Sequence, residues 1–332
     1  MDVRRAHIAR LIGVIIVVAI PVAAAGQVAP TSQAGRGATL FERGDYAGAK
    51  AALSGEDGGA AAYYLGRIAV IEDRPEDAAR LFERAIKADG HNADYHLWLG
   101  IALGLQARDV GRFRQAMLAG RAKGEFERAV ALNPRSIGAR EGLVQFYSMA
   151  PGIAGGSMRR AREHATEIAR VSPMRGHLAS GTIREREKDY PGAEREYLAG
   201  ASLAPDSAAP LLALGALYQR MGQWDRAFGS YERALALSAI EFPEALSAYY
   251  QFGRTGALSG QRLDESERSL KRWMERAPTG TSGRRIARTR SRLGMIYAHR
   301  GRTDLARAEF EEALKLNPKD ADARDGLAKL RR

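Results

Sequence analysis

The chain has 332 residues, no cysteine and a formal net charge of +12. The missing thiols exclude disulfides, thiolate metal sites, cysteine catalysis and a lipid-modified N-terminal cysteine. Arginine supplies 43 of the 51 basic residues in a chain that is also rich in alanine and glycine, a bias that a GC-rich genome explains as well as phosphate contacts do, so no nucleic-acid partner is expected.

At the N-terminus Arg4, Arg5 and Arg10 precede an apolar run over 11–20, followed by Pro21 and by Ala23-Ala24-Ala25-Gly26. This layout predicts a secretory signal peptide at 1–25, cut after Ala25, with a linker over 26–34. The apolar run is shorter than the about 20 residues of a full membrane span. The expectation is a periplasmic or secreted protein; the alternative is an uncleaved segment anchored in the inner membrane and facing the periplasm. Beyond that segment, membrane contact is expected only through weak electrostatics.

From residue 35 the chain becomes periodic. Four near-copies of one heptapeptide recur, FERAIKA from Phe82, FERAVAL from Phe126, YERALAL from Tyr231 and FEEALKL from Phe310. Gly66 to Gly100 and Gly181 to Gly215 are both steps of 34 residues, as are Ala193 to Ala227 and Tyr197 to Tyr231. Helical spacing within each step predicts two helices per unit, and a period of this length predicts a solenoid with a single continuous core. The units fall at 35–58 (partial, with Leu40, Tyr46, Ala49 and Leu53), 59–92, 93–134, 135–173, 174–207, 208–241, 246–278 and 287–320. In the last, Leu293, Gly294 and Tyr297 share one helix face and Ala306, Phe310 and Ala313 another; Gly301 breaks the chain between them and Asn317-Pro318 ends the second helix. Residues 321–332 keep Ala323, Leu327 and Leu330 on one side, as a capping helix does.

This arrangement resembles the tetratricopeptide repeat family, whose Leu-Gly, Tyr, Ala, Phe and Pro positions recur at these offsets. The resemblance covers about residues 35–332 and implies an all-α, right-handed α-solenoid with a C-terminal capping helix. It further implies that first helices line a concave groove that grips a peptide or protein segment. The matching groove offsets hold Tyr63, Arg67, Trp98, Ile101, Arg140, Leu143, Tyr147, Leu178, Arg220, Tyr250, Arg254, Arg288, Arg292 and His299. Arginines alternating with aromatic and apolar groups suit a partner carrying acidic and apolar residues, because a guanidinium pairs bidentately with a carboxylate. The offsets of a carboxylate clamp carry no asparagine, so a clamp-type adaptor is not supported. A basic run, Arg284, Arg288 and Arg292, raises the alternative of an anionic membrane or polyanion; a structural subunit of an envelope assembly is a further one.

Two inserts interrupt the period. One, at 104–121, carries Arg108, Arg112, Arg114 and Arg121; the other, at 150–160, is rich in Pro and Gly and runs into Arg159-Arg160. Both fall between the helices of a pair, which predicts that they emerge near each other on one edge and share a contact surface. The second reads either as an anion site at a helix start or as a longer turn capped by Ser157. No catalytic constellation is legible: there is no His-Glu-x-x-His, no Gly-x-Ser-x-Gly and no phosphate-binding Lys loop. His91, Asp94 and His96 read as surface residues rather than metal ligands, and the carboxylates as i to i+4 partners of arginine on outward faces. No enzyme activity, cofactor or metal is expected. The oligomeric state is not legible.

Overall fold

The computed structural model describes residues 32–237 and 244–331, so the expected signal peptide at 1–25 and most of the 26–34 linker lie outside the described residues. The described residues form seventeen α-helices. The first sixteen pair in order: α1 (Gln33–Glu42) with α2 (Tyr46–Leu53), α3 (Gly59–Ile71) with α4 (Pro75–Ala88), α5 (Ala93–Gln106) with α6 (Arg112–Leu132), and α7 (Ile137–Met149) with α8 (Met158–Val171). Then come α9 (Pro173–Arg186) with α10 (Tyr190–Leu203), α11 (Ala208–Arg220) with α12 (Trp224–Ala236), α13 (Glu244–Ser259) with α14 (Leu263–Arg276), and α15 (Gly283–His299) with α16 (Thr303–Leu316); α17 (Ala321–Leu330) follows alone. The chain is an all-α helical repeat solenoid.

Local chemistry sets the boundaries. Asp45, Ser136, Asp189 and Asp320 cap helix starts by accepting from the backbone N–H three residues on, which satisfies a donor that has no partner inside the helix. Within a pair, the glycine of the first helix meets the aromatic ring of the second. A Cβ at Gly66 would stand 2.6 Å from Phe82, and one at Gly100 or Gly294 would stand 2.6 Å from Phe126 or Phe310. Phe126 and Phe310 are gripped from the other side too, by Gly142 and Gly326 of the following helix. The heptapeptide and the Leu-Gly step are therefore two halves of one contact.

Neighbouring first helices touch one another along the array, whereas successive second helices do not make comparable contacts. In a curved stack the inner radius is the shorter, so the first helices line the concave side. The buried apolar residues form three clusters, over 41–183, 193–252 and 257–323, rather than the single continuous core expected from the sequence. Buried polar groups occupy the breaks: Gln219 Nε2 donates to Thr255 Oγ1 at 2.8 Å, between the second and third clusters.

The first insert does not form a loop. After a 3-10 turn at Ala107–Asp109 it lengthens α6 to 21 residues, so that the N-terminal turns of α6 project beyond the end of α5. The second insert leaves α7 after Met149 and returns at Ser157, whose N–H donates to the Tyr147 carbonyl at 2.8 Å. Ser157 then caps α8 through Arg160 N–H.

The solenoid also closes on itself, which the sequence did not foreshadow. Ser282 Oγ donates to Asp73 Oδ2 at 3.1 Å across a sequence separation of 209 residues. Ser282 N–H donates to the Glu72 carbonyl at 2.7 Å and Arg285 Nη1 to the Ile71 carbonyl at 3.2 Å. The α3–α4 turn lies on one edge of the array and the α14–α15 connection on the other. These bonds bring the two edges together.

Candidate functional site

The residues expected in the groove fall into three groups on the first helices. In the first group, Arg67 lies in an aromatic box, its guanidinium 4.2 Å from the Phe41 ring centroid, 5.0 Å from Trp98 and 5.5 Å from Tyr63, with Glu42 at 3.4 Å. Tyr63 is a core residue and supports the groove rather than lining it. Burial pushes its hydroxyl well above the ordinary tyrosine range. Ile101 and Trp98 are half-buried beside it.

The second group is Arg140, Tyr147 and His164. Tyr147 stacks on His164 at 5.7 Å between centroids, and Arg140 Nη1 donates to His164 Nδ1 at 3.3 Å. Burial and then the Arg140 charge hold His164 below the usual histidine range. Tyr147 and Leu143 are both in the core, so only the Arg140 edge of this group is accessible; Leu178, on α9, is half-buried.

The third group is a row of arginines on successive first helices. Arg220 pairs with Glu185, Arg254 Nη1 donates to Gln219, and Arg292 pairs with Asp322 at 2.9 Å. Burial lowers the pKa of Arg220 and of Arg254, and Arg292 adds repulsion on Arg254. Burial also opposes the charge of Arg292, but Tyr250 and Asp322 outweigh it and hold its pKa up. Tyr250 packs on Trp273 at 6.1 Å. Among the described residues Arg67 Nε and Arg292 Nε have no hydrogen-bond partner, and neither does the Tyr231 hydroxyl. Three guanidinium groups thus lie within electrostatic reach of one another, and Arg292 Nε is left without a hydrogen-bond partner.

Two expected site residues stand apart from this row. His299 sits at the end of α15 with Nε2 3.1 Å from the Ala257 carbonyl, at the edge rather than in the groove. Arg284 and Arg288 each have an interaction within the chain. With Arg285 drawn into the closing contact and Arg292 paired, the 284–292 run is no open basic patch.

Some carboxylates pair at i+3 or i+4 as expected, such as Glu163 with Arg159, but many are inter-repeat partners instead. Tyr147, Tyr218 and Tyr297 each donate from Oη to a glutamate of the preceding second helix, Glu127, Glu194 and Glu267, at 2.9, 3.1 and 2.9 Å. Arg160, Arg226 and Arg300 complete the three clusters. A second ladder joins first helices, Arg175 to Glu141 and Arg220 to Glu185, and a similar step joins the turns that follow two of them, Arg108 to Asp73. Each step spans about one repeat, a spacing readable in sequence but without a signal for which residues meet. His96, expected on the surface, is buried, with Nδ1 2.6 Å from Glu125 and Nε2 3.1 Å from the Gly90 carbonyl. It ties the 89–92 turn to α6.

Models of the tetratricopeptide repeat match residues 63–126, 211–242 and 287–320. They fall on the helix pairs described above and support the tetratricopeptide repeat family for this chain. No curated protein matches it. Among solved structures, the crystal structure of the APC/C hetero-tetramer Cut9–Hcn1 aligns at 16% identity with a TM-score of 0.49, over 88% of this chain and 60% of that one. YrrB, described as a TPR protein with an unusual peptide-binding site, aligns at 16% identity with a TM-score of 0.39, over 75% of this chain and 99% of its own.

Proposed function

We propose that the protein is a non-enzymatic scaffold of the cell envelope that holds an acidic, apolar segment of a partner protein along its concave face. The arginine row Arg220–Arg254–Arg292 carries this reading. These groups are partly desolvated and spaced by about one repeat; Arg220 and Arg292 each pair with a carboxylate, whereas Arg254 donates to Gln219, and Arg292 Nε has no partner. Charge-assisted bonds from such groups are stronger than those made in open water. Tyr250 adds apolar area beside them, and Trp98 with the Arg67 box lies farther along the array on α3 and α5. Export rests on the sequence layout of residues 1–26, and sequencing the mature N-terminus tests it, Gly26 being the expected first residue.

The groove is tested with a fluorescent array of glutamate- and leucine-rich peptides against lysine-rich controls. The acidic set is expected to bind, and Arg254→Gln with Arg292→Gln to weaken it about tenfold or more, with the unfolding midpoint measured alongside. Equal affinity of the folded double variant and the parent sinks the groove assignment.

A further inference from the structure

The two inserts carry the two most exposed large apolar side chains among the described residues, Ile153 and Phe113, and with them Met117. Ile153 is 101% exposed, Phe113 88% and Met117 51%. Each insert joins the two helices of a pair, and the two pairs are successive and packed side by side, so both inserts emerge on the same edge of the array. Phe126 meets Gly142, and Lys123 Nζ lies 6.0 Å over the Phe146 ring, so the helices run antiparallel with residue numbers summing to a nearly constant value. Phe113 and Met117 are one helical turn apart on α6 and share a face. Exposed Arg112 and Arg114 flank that face.

Charge is one-sided here. Residues 104–121 and 149–162 contain seven arginines and a single acid, Asp109. Five of the seven are engaged, Arg108 with Asp73, Arg121 with Glu83, Arg159 with Glu163, Arg162 with Glu187 and Arg160 with the Tyr147 hydroxyl. Arg112 and Arg114 stand at the outer end of α6 beside Phe113.

We propose that this edge docks on an anionic lipid surface, with Phe113, Met117 and Ile153 dipping below the headgroups and Arg112 and Arg114 meeting lipid phosphates. The geometry favours a bilayer over a folded partner. These side chains stand clear of the body on separate projecting elements, so a protein would need a matching pocket for each, whereas a fluid interface accepts them as they are. Apolar burial together with basic flanks is the combination that holds proteins at such interfaces. The site is separate from the concave groove and does not depend on it.

The absence of cysteine allows a test on the full chain. Ala116→Cys, Ala154→Cys and, remote from the inserts, Ser202→Cys each carry an environment-sensitive fluorophore and are titrated with vesicles of equal parts phosphatidylcholine and phosphatidylglycerol. The labels at 116 and 154 are expected to brighten about threefold or more, and the label at 202 to stay unchanged. Phe113→Ser with Ile153→Ser, exposed positions whose exchange leaves the core intact, is expected to weaken the response at 154 by about a hundredfold in lipid concentration. Arg112→Gln with Arg114→Gln is expected to remove the preference for phosphatidylglycerol. Because each label reports its own surroundings, attachment through the N-terminal segment does not mimic the result. Silent labels at 116 and 154 on vesicle-bound protein overturn the proposal. So does an equal response on phosphatidylcholine alone, and so does a response to protein concentration without vesicles, which would mark a contact between copies of the chain.

Discussion

In five of the eight pairs the short turn between the helices holds one left-handed residue at the same position, and its identity separates structural from special turns. Gly44, Gly222 and Gly301 hold this position at φ of 78°, 70° and 69°, while Asp73 and Lys188 hold it at 57° and 64°. A side chain there costs about 1–2 kcal/mol. Lys188 is exposed and has no compensating role, so Lys188→Gly is expected to raise stability by about 0.5–1 kcal/mol in urea unfolding. Asp73→Gly is expected to lower it despite the same relief of strain, because Asp73 binds Arg108 and Ser282. Asp73 is thus legible in retrospect, an acid standing where sibling repeats carry glycine. His164 gives a second residue-scale expectation. Its pKa in the folded chain lies below the ordinary 6.5, because burial and Arg140 disfavour the charged ring. The unfolded chain therefore binds the proton more readily, so the His164 contribution is complete above pH 6.5 and is lost as pH falls toward the folded value. His164→Gln is expected to flatten the fall in thermal midpoint below pH 6.5; an unchanged slope would contradict the assignment.

At the scale of the element, the sequence pattern and the packing are the same statement. Large and small residues alternate in the heptapeptides because rings must enter the space opened by glycines on the facing helix. Phe310 is held between Gly294 and Gly326, so it cannot swing away from an added methyl group. Gly294→Ala is expected to cost about 1–3 kcal/mol through overpacking. Gly229→Ala, in the interior of α12 with no atom within 4 Å of the new Cβ, is expected to stabilise by about 0.5–1 kcal/mol through helix propensity. Chemical denaturation of the two variants checks the pair, and costs of the same sign would refute this account of the repeat. The inserts were legible as interruptions, but their form was not. Whether residues 112–118 loop out or extend α6 depends on helix propagation from an already packed segment, which no local motif marks.

For the whole molecule, closure changes the energetics of a repeat array. A simple solenoid couples each unit only to its neighbours and unfolds as a one-dimensional chain. Here the α3–α4 turn and the α14–α15 connection are bonded directly, so early and late repeats stabilise each other. Ser282→Ala with Arg285→Met is expected to increase the radius of gyration in small-angle scattering and to separate unfolding of the two ends into distinguishable steps. A chain equally compact and equally cooperative after that change would show that the contact contributes nothing.

The sequence by itself determined the helix pairs, their glycine–ring contacts and the terminal cap, because those depend on spacing within one repeat. The arginine row too was visible as residues at groove offsets. Only the tertiary structure decided which arginines are already paired, which tyrosines serve as core rather than contact surface, and that Asp73 meets Ser282. These outcomes depend on small rotations added from repeat to repeat, and their sum is written in no single segment of the chain.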